Sequence, residues 1–117
     1  MNNKRVILDL ETNKLLQKPP NKSKIILSNI VYDSRYVIKK LELSIYTTTS
    51  HKILGDYSIL VIIIETNKGT VIMKYDEGFR GKDAFDNAIE MLTQYNGISS
   101  VINRALIELD NIELDNI

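Results

Sequence analysis

The chain has no cysteine and no tryptophan, one histidine, two prolines and two phenylalanines in 117 residues. Without thiols there is no disulfide scaffold, cysteine nucleophile, iron–sulfur cluster or thiolate zinc site, and His51 alone cannot build a multi-histidine metal centre. Net charge is missing too. Fifteen basic and fifteen acidic side chains cancel, so no global field gathers a polyanion and only local patches can act. The longest apolar run, Ile59 to Ile64, is six residues, against the roughly 20 that cross a bilayer as a helix. Near the N-terminus, Val6-Ile7-Leu8 stops at Asp9 and no small-residue cleavage site follows, so a cytoplasmic chain is expected.

What is present suits one compact domain over residues 1–117: 44% apolar side chains, with no room for a second core. Charge is unevenly spread. Residues 1–40 carry nine basic and three acidic side chains, whereas 105–117 carry four acidic and no basic ones. A solvated surface accounts for this, and so does pairing of basic and acidic patches between subunits. The tail holds a tandem pentapeptide, Ile107–Asn111 and Ile112–Asn116, too short for a solenoid. Its first copy reads as a helix end and its second as a frayed extension, with residues 113–117 forming a tail.

Alternation of apolar and polar residues dominates 1–76 and predicts a sheet. Strands are expected at Arg5–Leu10, Lys24–Tyr32, Val37–Thr47, Tyr57–Thr66 and Thr70–Tyr75. A loop surrounds Pro19-Pro20, because proline lacks a donor and restricts the residue before it. Asp33-Ser34 is a turn, and Thr47 to Asp56 a polar connection. Leu41, Leu43 and Ile45 should face one side of their strand, while the unbroken Ile59–Ile64 run suits a central strand covered on both faces. Asn67-Lys68-Gly69 reads as a hairpin loop, since Asn and Gly tolerate positive φ.

Helical spacing takes over in the segment 82–112. Ala84, Phe85, Ala88, Ile89, Leu92 and Tyr95 make one stripe, with Asp83, Asp86 and Glu90 in its first turns, where the helix dipole favours acids. Asn96-Gly97 stops that helix, and Ser99 or Ser100 caps a second with Val101, Ile102, Ala105, Leu106 and Leu109 inward. Strands followed by helices give an α+β fold: an antiparallel sheet of about five to six strands, then two C-terminal helices on one face.

The residues offer little for catalysis. His51 sits in a polar Ser-His-Lys stretch with no local acid or nucleophile and reads as a surface histidine. Asp9 and Glu11 would share one strand face, but nothing around them completes an acid–base pair. Asp76-Glu77 and Asp83/Asp86 lack the acidic spacing of a calcium loop, so no metal site is expected either. The expectation is a non-enzyme without metal or cofactor. Scattered tyrosines and no nucleic-acid module signature argue against a nucleic-acid polymer as partner.

Binding chemistry is better represented. Gly78-Phe79-Arg80-Gly81 precedes a helix N-terminus, where backbone donors attract anions, Arg80 and Lys82 add positive charge, and Phe79 offers a flat face for a base. The same segment also reads as a plain turn with Phe79 plugging the core. Arg104 either pairs with Glu108 at i+4 or serves as a phosphate clamp. Asn87 is a solvated helix residue or an amide that reads a base or ribose.

Phe79-Arg80, Asn87 and Arg104, in that order after a sheet and on two terminal helices, resemble the phage Thoeris anti-defence sponge family of the first type. The resemblance spans nearly the whole chain by layout, without a distinctive contiguous motif. It implies a small cytoplasmic oligomer, a homodimer or larger, acting in a phage-infected bacterium. Such a protein would sequester cyclic ADP-ribose isomers from TIR-domain defence enzymes and leave them intact. It further implies that Phe79 stacks the adenine, Arg104 contacts the pyrophosphate and Asn87 hydrogen-bonds the nucleoside, with Arg80 as helper. Arg35 and Lys52 stay unassigned. The competing reading is a small pleckstrin-homology-like or adaptor module for protein interaction, without a nucleotide ligand.

Overall fold

The computed structural model describes residues 4–8, 10–51, 55–75, 83–94 and 96–115. Five strands and three helices run in the order β1 (Lys4–Ile7), α1 (Leu10–Leu15), β2 (Lys22–Val31), β3 (Val37–His51), β4 (Gly55–Thr66), β5 (Gly69–Lys74), α2 (Ala84–Gln94) and α3 (Gly97–Asp115). The strands form one sheet ordered β1-β5-β4-β3-β2. β2 through β5 pair antiparallel with their neighbours, and β1 joins the far edge parallel to β5. The fold is α+β, a five-stranded, mostly antiparallel sheet followed by two C-terminal helices.

The six-residue aliphatic run explains the centre of this arrangement. β4 is the middle strand, and successive side chains alternate between the two faces. Leu60, Ile62 and Ile64 join Leu41, Leu43 and Ile45 of β3, Val71 and Met73 of β5, and the inner stripes of α2 and α3 in the main core. Ile59 and Val61 point the other way and pack with Tyr46, Ile72 and the partly buried Leu15 and Leu16 at the end of α1. α2 and α3 therefore cover one face, and α1 covers part of the opposite one.

Several elements differ from the sequence reading. β1 stops at Ile7, and the stretch from Leu10 is a short helix instead of an extended strand end. Six residues are too few for a helical period to show. The tertiary structure holds this one: Thr12 is buried, and its hydroxyl finds no hydrogen-bond partner among the described residues. β3 runs on to His51 and β4 starts at Gly55, so the threonine-rich connection is a ladder in which Thr47, Thr48 and Thr49 stand opposite Ser58, Tyr57 and Asp56. Polar β-branched residues suit such a ladder as well as aliphatic ones.

The asparagines also depart from expectation. Asn67 does not use positive φ; Asn29 and Asn96 do, at 54° and 59°. Asn67 instead accepts from the Val37 N–H through Oδ1 (2.9 Å) and donates through Nδ2 to the Arg35 carbonyl (3.1 Å), tying two turns together. Thr66 Oγ1 accepts from the N–H groups of Lys68 and Gly69 (both 3.1 Å) and donates to the Gly69 carbonyl (2.8 Å), which closes the reversal.

Asn96 in the left-handed region ends α2, and α3 begins at once at Gly97, so Ser99 and Ser100 lie in its first turn and do not cap it. Gly97 is required by space. A Cβ there would stand 2.9 Å from both Leu92 Cα and the Met91 carbonyl oxygen. α3 then continues to Asp115, past the expected end near Asn111. Five residues advance an α-helix by about 500°, so the second pentapeptide copy is turned about 140° from the first and cannot repeat its environment. Accordingly Ile107 is 58% exposed, whereas Ile112 is partly buried.

Candidate functional site

The proposed ligand residues fall into two groups. Phe79 and Arg80 lie outside the described residues, as does Lys52. Asn87 and Arg104 are described, and both are solvent-exposed. Asn87 stands in the first turn of α2, where its N–H donates to the Asp83 carbonyl (2.9 Å). Arg104 stands on α3 between the buried pairs Val101-Ile102 and Ala105-Leu106, on the outward arc of the helix. It makes no ion pair with Glu108 or any other described carboxylate. The local i+4 pairing open to it in sequence is not formed. No hydrogen bond or ion pair joins Asn87 to Arg104 directly.

α3 is fixed by a polar clasp that sequence reasoning missed. Asp33 starts it: one carboxylate oxygen accepts from the N–H groups of Arg35 (2.8 Å) and Tyr36 (2.9 Å), shaping the β2–β3 turn. The Arg35 N–H, and after it that of Tyr36, holds the carboxyl below the usual aspartate range against an opposing effect of burial. The turn delivers Tyr36 into the core, fully buried, with its hydroxyl donating to Asp110 Oδ1 of α3 at 2.6 Å. A bond this short to a carboxylate is a charge-assisted one.

Asp110 also faces Arg35 (3.6 Å), and the Arg35 guanidinium and Lys68 ammonium lie 5.4 and 5.1 Å from the centre of the Tyr36 ring. Both are within cation–π range. Two helical turns earlier, the Tyr32 hydroxyl donates to Asn103 Oδ1. Asn103 and Asp110, seven residues apart, thus fasten one side of α3 to the corner of the sheet. Arg35, unassigned in sequence, belongs to this clasp. The two tyrosines reach partners in α3 more than 70 positions away in the chain, so no local pattern could have shown them. The consequence for the site is positional: Asn103 is anchored, and the next residue, about 100° further round the helix, is the exposed Arg104.

The opposite face of the sheet carries a second charged group. Lys40 Nζ lies 2.8 Å from Glu65 Oε2, its cross-strand neighbour, and 3.7 Å from Glu42 Oε1. The hydrogen bond to Glu65 raises the Lys40 pKa above the usual lysine value despite some burial. Burial, with a smaller contribution from Glu42, raises the Tyr46 hydroxyl. This group reads as cross-strand pairing of Lys40 with Glu65, which stand in register on neighbouring strands, with Glu42 two positions along the same strand as Lys40.

The remaining sequence candidates are dispersed. Glu11 belongs to α1 and not to a strand, so it does not share a strand face with Asp9, which lies outside the described residues together with Asp76 and Glu77. His51 stands opposite Gly55 in the β3–β4 ladder rather than in a loop. Asp83 and Asp86 are both exposed at the start of α2. Among the described residues, no three His, Cys, Asp or Glu side chains gather as a metal site, and no helix is long and apolar enough to cross a membrane. Compared with known proteins, the chain matches no family model, no curated protein and no solved structure.

Proposed function

We propose that this chain is a non-catalytic sponge. It would bind a cyclic ADP-ribose-type messenger in the cytoplasm of an infected bacterium and thereby block TIR-dependent anti-phage defence. The observation that carries the reading is Arg104, an exposed guanidinium without a described counter-charge on a helix fixed at two points of the same side. An arginine held in place and left unpaired suits planar, bidentate recognition of a phosphate or pyrophosphate. The order of elements, a mostly antiparallel sheet followed by two helices, agrees with the layout of the Thoeris anti-defence family that the sequence resembles.

Phe79 supplies the stacking surface in this reading, Asn87 the amide for the nucleoside and Arg80 an added charge. A second copy of the chain supplies the remaining wall, because a domain of 117 residues has little volume for a deep cleft within one core. Capture asks for no general base and no metal, only tight and reversible binding.

Calorimetric titration with cyclic ADP-ribose isomers, followed by chromatography of the recovered ligand, tests the proposal. The expected result is saturable binding with the ligand returned unchanged. No heat at saturating ligand would leave the protein-interaction module as the reading, and a released product would make the chain an enzyme.

A further inference from the structure

Asn29, Asn67 and Asn96 each lie at an irregularity or a junction of the fold, and they differ in what surrounds the side-chain amide. Asn67 uses both ends of its amide, and the N–H that follows it, that of Lys68, donates to Thr66 Oγ1. Asn29, at φ 54°, is exposed but precedes Ile30, which stands opposite Ile38 in the β2–β3 ladder. A β-branched side chain crowds its own backbone nitrogen. Asn96, at φ 59°, is exposed, and its amide makes no hydrogen bond with any described residue. It alone among the asparagines of the chain precedes a glycine.

Asn96 joins α2 to α3. Its carbonyl accepts from the Ser100 N–H (3.1 Å), so it occupies the N-cap position of α3. The Gly97 N–H is the first of that helix and has no hydrogen-bond partner among the described residues, as the opening turn of a helix dictates. The amide carbon of an asparagine and the next backbone nitrogen can close a succinimide ring, and asparagine is a thermolabile residue for that reason. A glycine nitrogen carries no side chain beside it to obstruct the approach. The positive end of the α3 dipole favours the negative charge that develops on this nitrogen as its proton leaves. Closure requires rotation about the Asn96 Cα–C bond, which disturbs the Ser100 hydrogen bond at a helix end, where fraying is easiest.

We infer that the Asn96-Gly97 link is a site of self-modification, at which the side-chain amide is hydrolysed through a succinimide made with the Gly97 nitrogen. That nitrogen gives its proton to hydroxide and attacks Asn96 Cγ. A C–N bond forms, and Nδ2 takes a proton from water and leaves as ammonia, which restores the hydroxide. Water then opens the ring at either carbonyl, so the sum is amide plus water giving carboxylate plus ammonium. Opening at Cγ restores the ordinary backbone with an aspartate, as good an N-cap as asparagine, and its charge suits a helix with no acid in its first turn. Opening at the backbone carbonyl leaves isoaspartate, with one more carbon in the main chain. That lengthens the link where Gly97 lies so close to α2 that a Cβ would stand 2.9 Å from Leu92 Cα, and it displaces α3. No ligand takes part, so this chemistry and the messenger reading stand or fall separately.

Mass spectrometry of the full chain, aged for days at neutral and at alkaline pH beside the same chain in urea, tests the inference. The expected result is the mass gain of amide becoming carboxylate in the folded chain, located to Asn96 by fragmentation and faster at the higher pH. Aspartate and isoaspartate should both be found there, with Asn29 and Asn67 unchanged, and Asn96→Gly should remove the gain. Asn96→Asp should keep the parent's Tm or raise it, whereas the isoaspartate fraction, separated by ion exchange, should melt at a lower temperature. Circular dichroism confirms that each form is folded. A folded chain with Asn96 intact after the chain in urea has converted, or no conversion in either, would overturn the inference. So would conversion at Asn29 or Asn67 as fast as at Asn96. An isoaspartate fraction as stable as the parent would overturn the structural consequence.

Discussion

Replacing Gly97 by alanine sets two known effects against each other. Helix propensity favours the change: alanine near the start of a helix is better than glycine by up to about 1 kcal/mol, partly through the unfolded chain. Space opposes it. The added methyl would meet Leu92 Cα and the Met91 carbonyl oxygen, each at 2.9 Å, and both are backbone atoms that no rotamer change can move aside. α3 would have to shift away from the end of α2, an overpacking cost of about 1–3 kcal/mol. The steric effect should win, leaving a net loss of about 1–2 kcal/mol and a Tm lower by about 4–8 °C for a domain of this size. Thermal and urea denaturation followed by circular dichroism measure it, with Asn96→Gly as the control. That substitution removes a side chain from a positive-φ position and should be neutral within about 0.5 kcal/mol. A Gly97→Ala protein as stable as the parent or more so would refute the close approach of α2 and α3, and with it the relative placement of Asn87 and Arg104.

Other outcomes follow from the clasp and the charged sheet face. Tyr36→Phe removes only the hydroxyl that meets Asp110 and should cost about 1–2 kcal/mol in urea denaturation; no loss would mean that the clasp does not hold α3. Lys40→Met should cost no more than about 1 kcal/mol, because both Lys40 and Glu65 are partly solvated. The folded Lys40 pKa lies above its unfolded value, so this contribution is fully present below about pH 10.4 and disappears as pH rises through the folded value. A difference between parent and Lys40→Met that grew above about pH 11 would contradict that pairing. Asp33 has the opposite sign: its lowered pKa stabilises above the ordinary aspartate range and is lost as pH falls through the folded value. Asp33→Ala should therefore flatten the acid limb of the stability profile measured by urea denaturation.

Patterns short in sequence are legible, and contacts long in sequence are not. The Ile59–Ile64 run points to a strand covered on both faces because each of its side chains needs apolar surroundings, and two separate clusters provide them. The two amphipathic helices are equally clear from their stripes. α1 is not, since Leu10–Leu15 is too short to display a period and owes its place to Thr12, Leu15 and Leu16 meeting the sheet. Asn67 is recognisable as a turn residue by its backbone freedom, whereas its side-chain amide does the joining. The clasp from Tyr32 and Tyr36 to Asn103 and Asp110 depends on how the last helix crosses the first hairpin, which composition and spacing do not encode locally. Arg104 stands out in the sequence by its isolation among acids, but that it leaves Glu108 unpaired emerges only in the folded chain.

The measurement nearest the centre of the account is calorimetric titration of Arg104→Ala with the cyclic ADP-ribose isomer that the parent binds. Arg104 is exposed and makes no described ion pair, so the variant should stay within about 0.5 kcal/mol of the parent's stability. The loss of a charged contact to a pyrophosphate should weaken binding about 10- to 100-fold. A folded Arg104→Ala protein with the parent's full affinity would contradict the assignment of this guanidinium to the messenger.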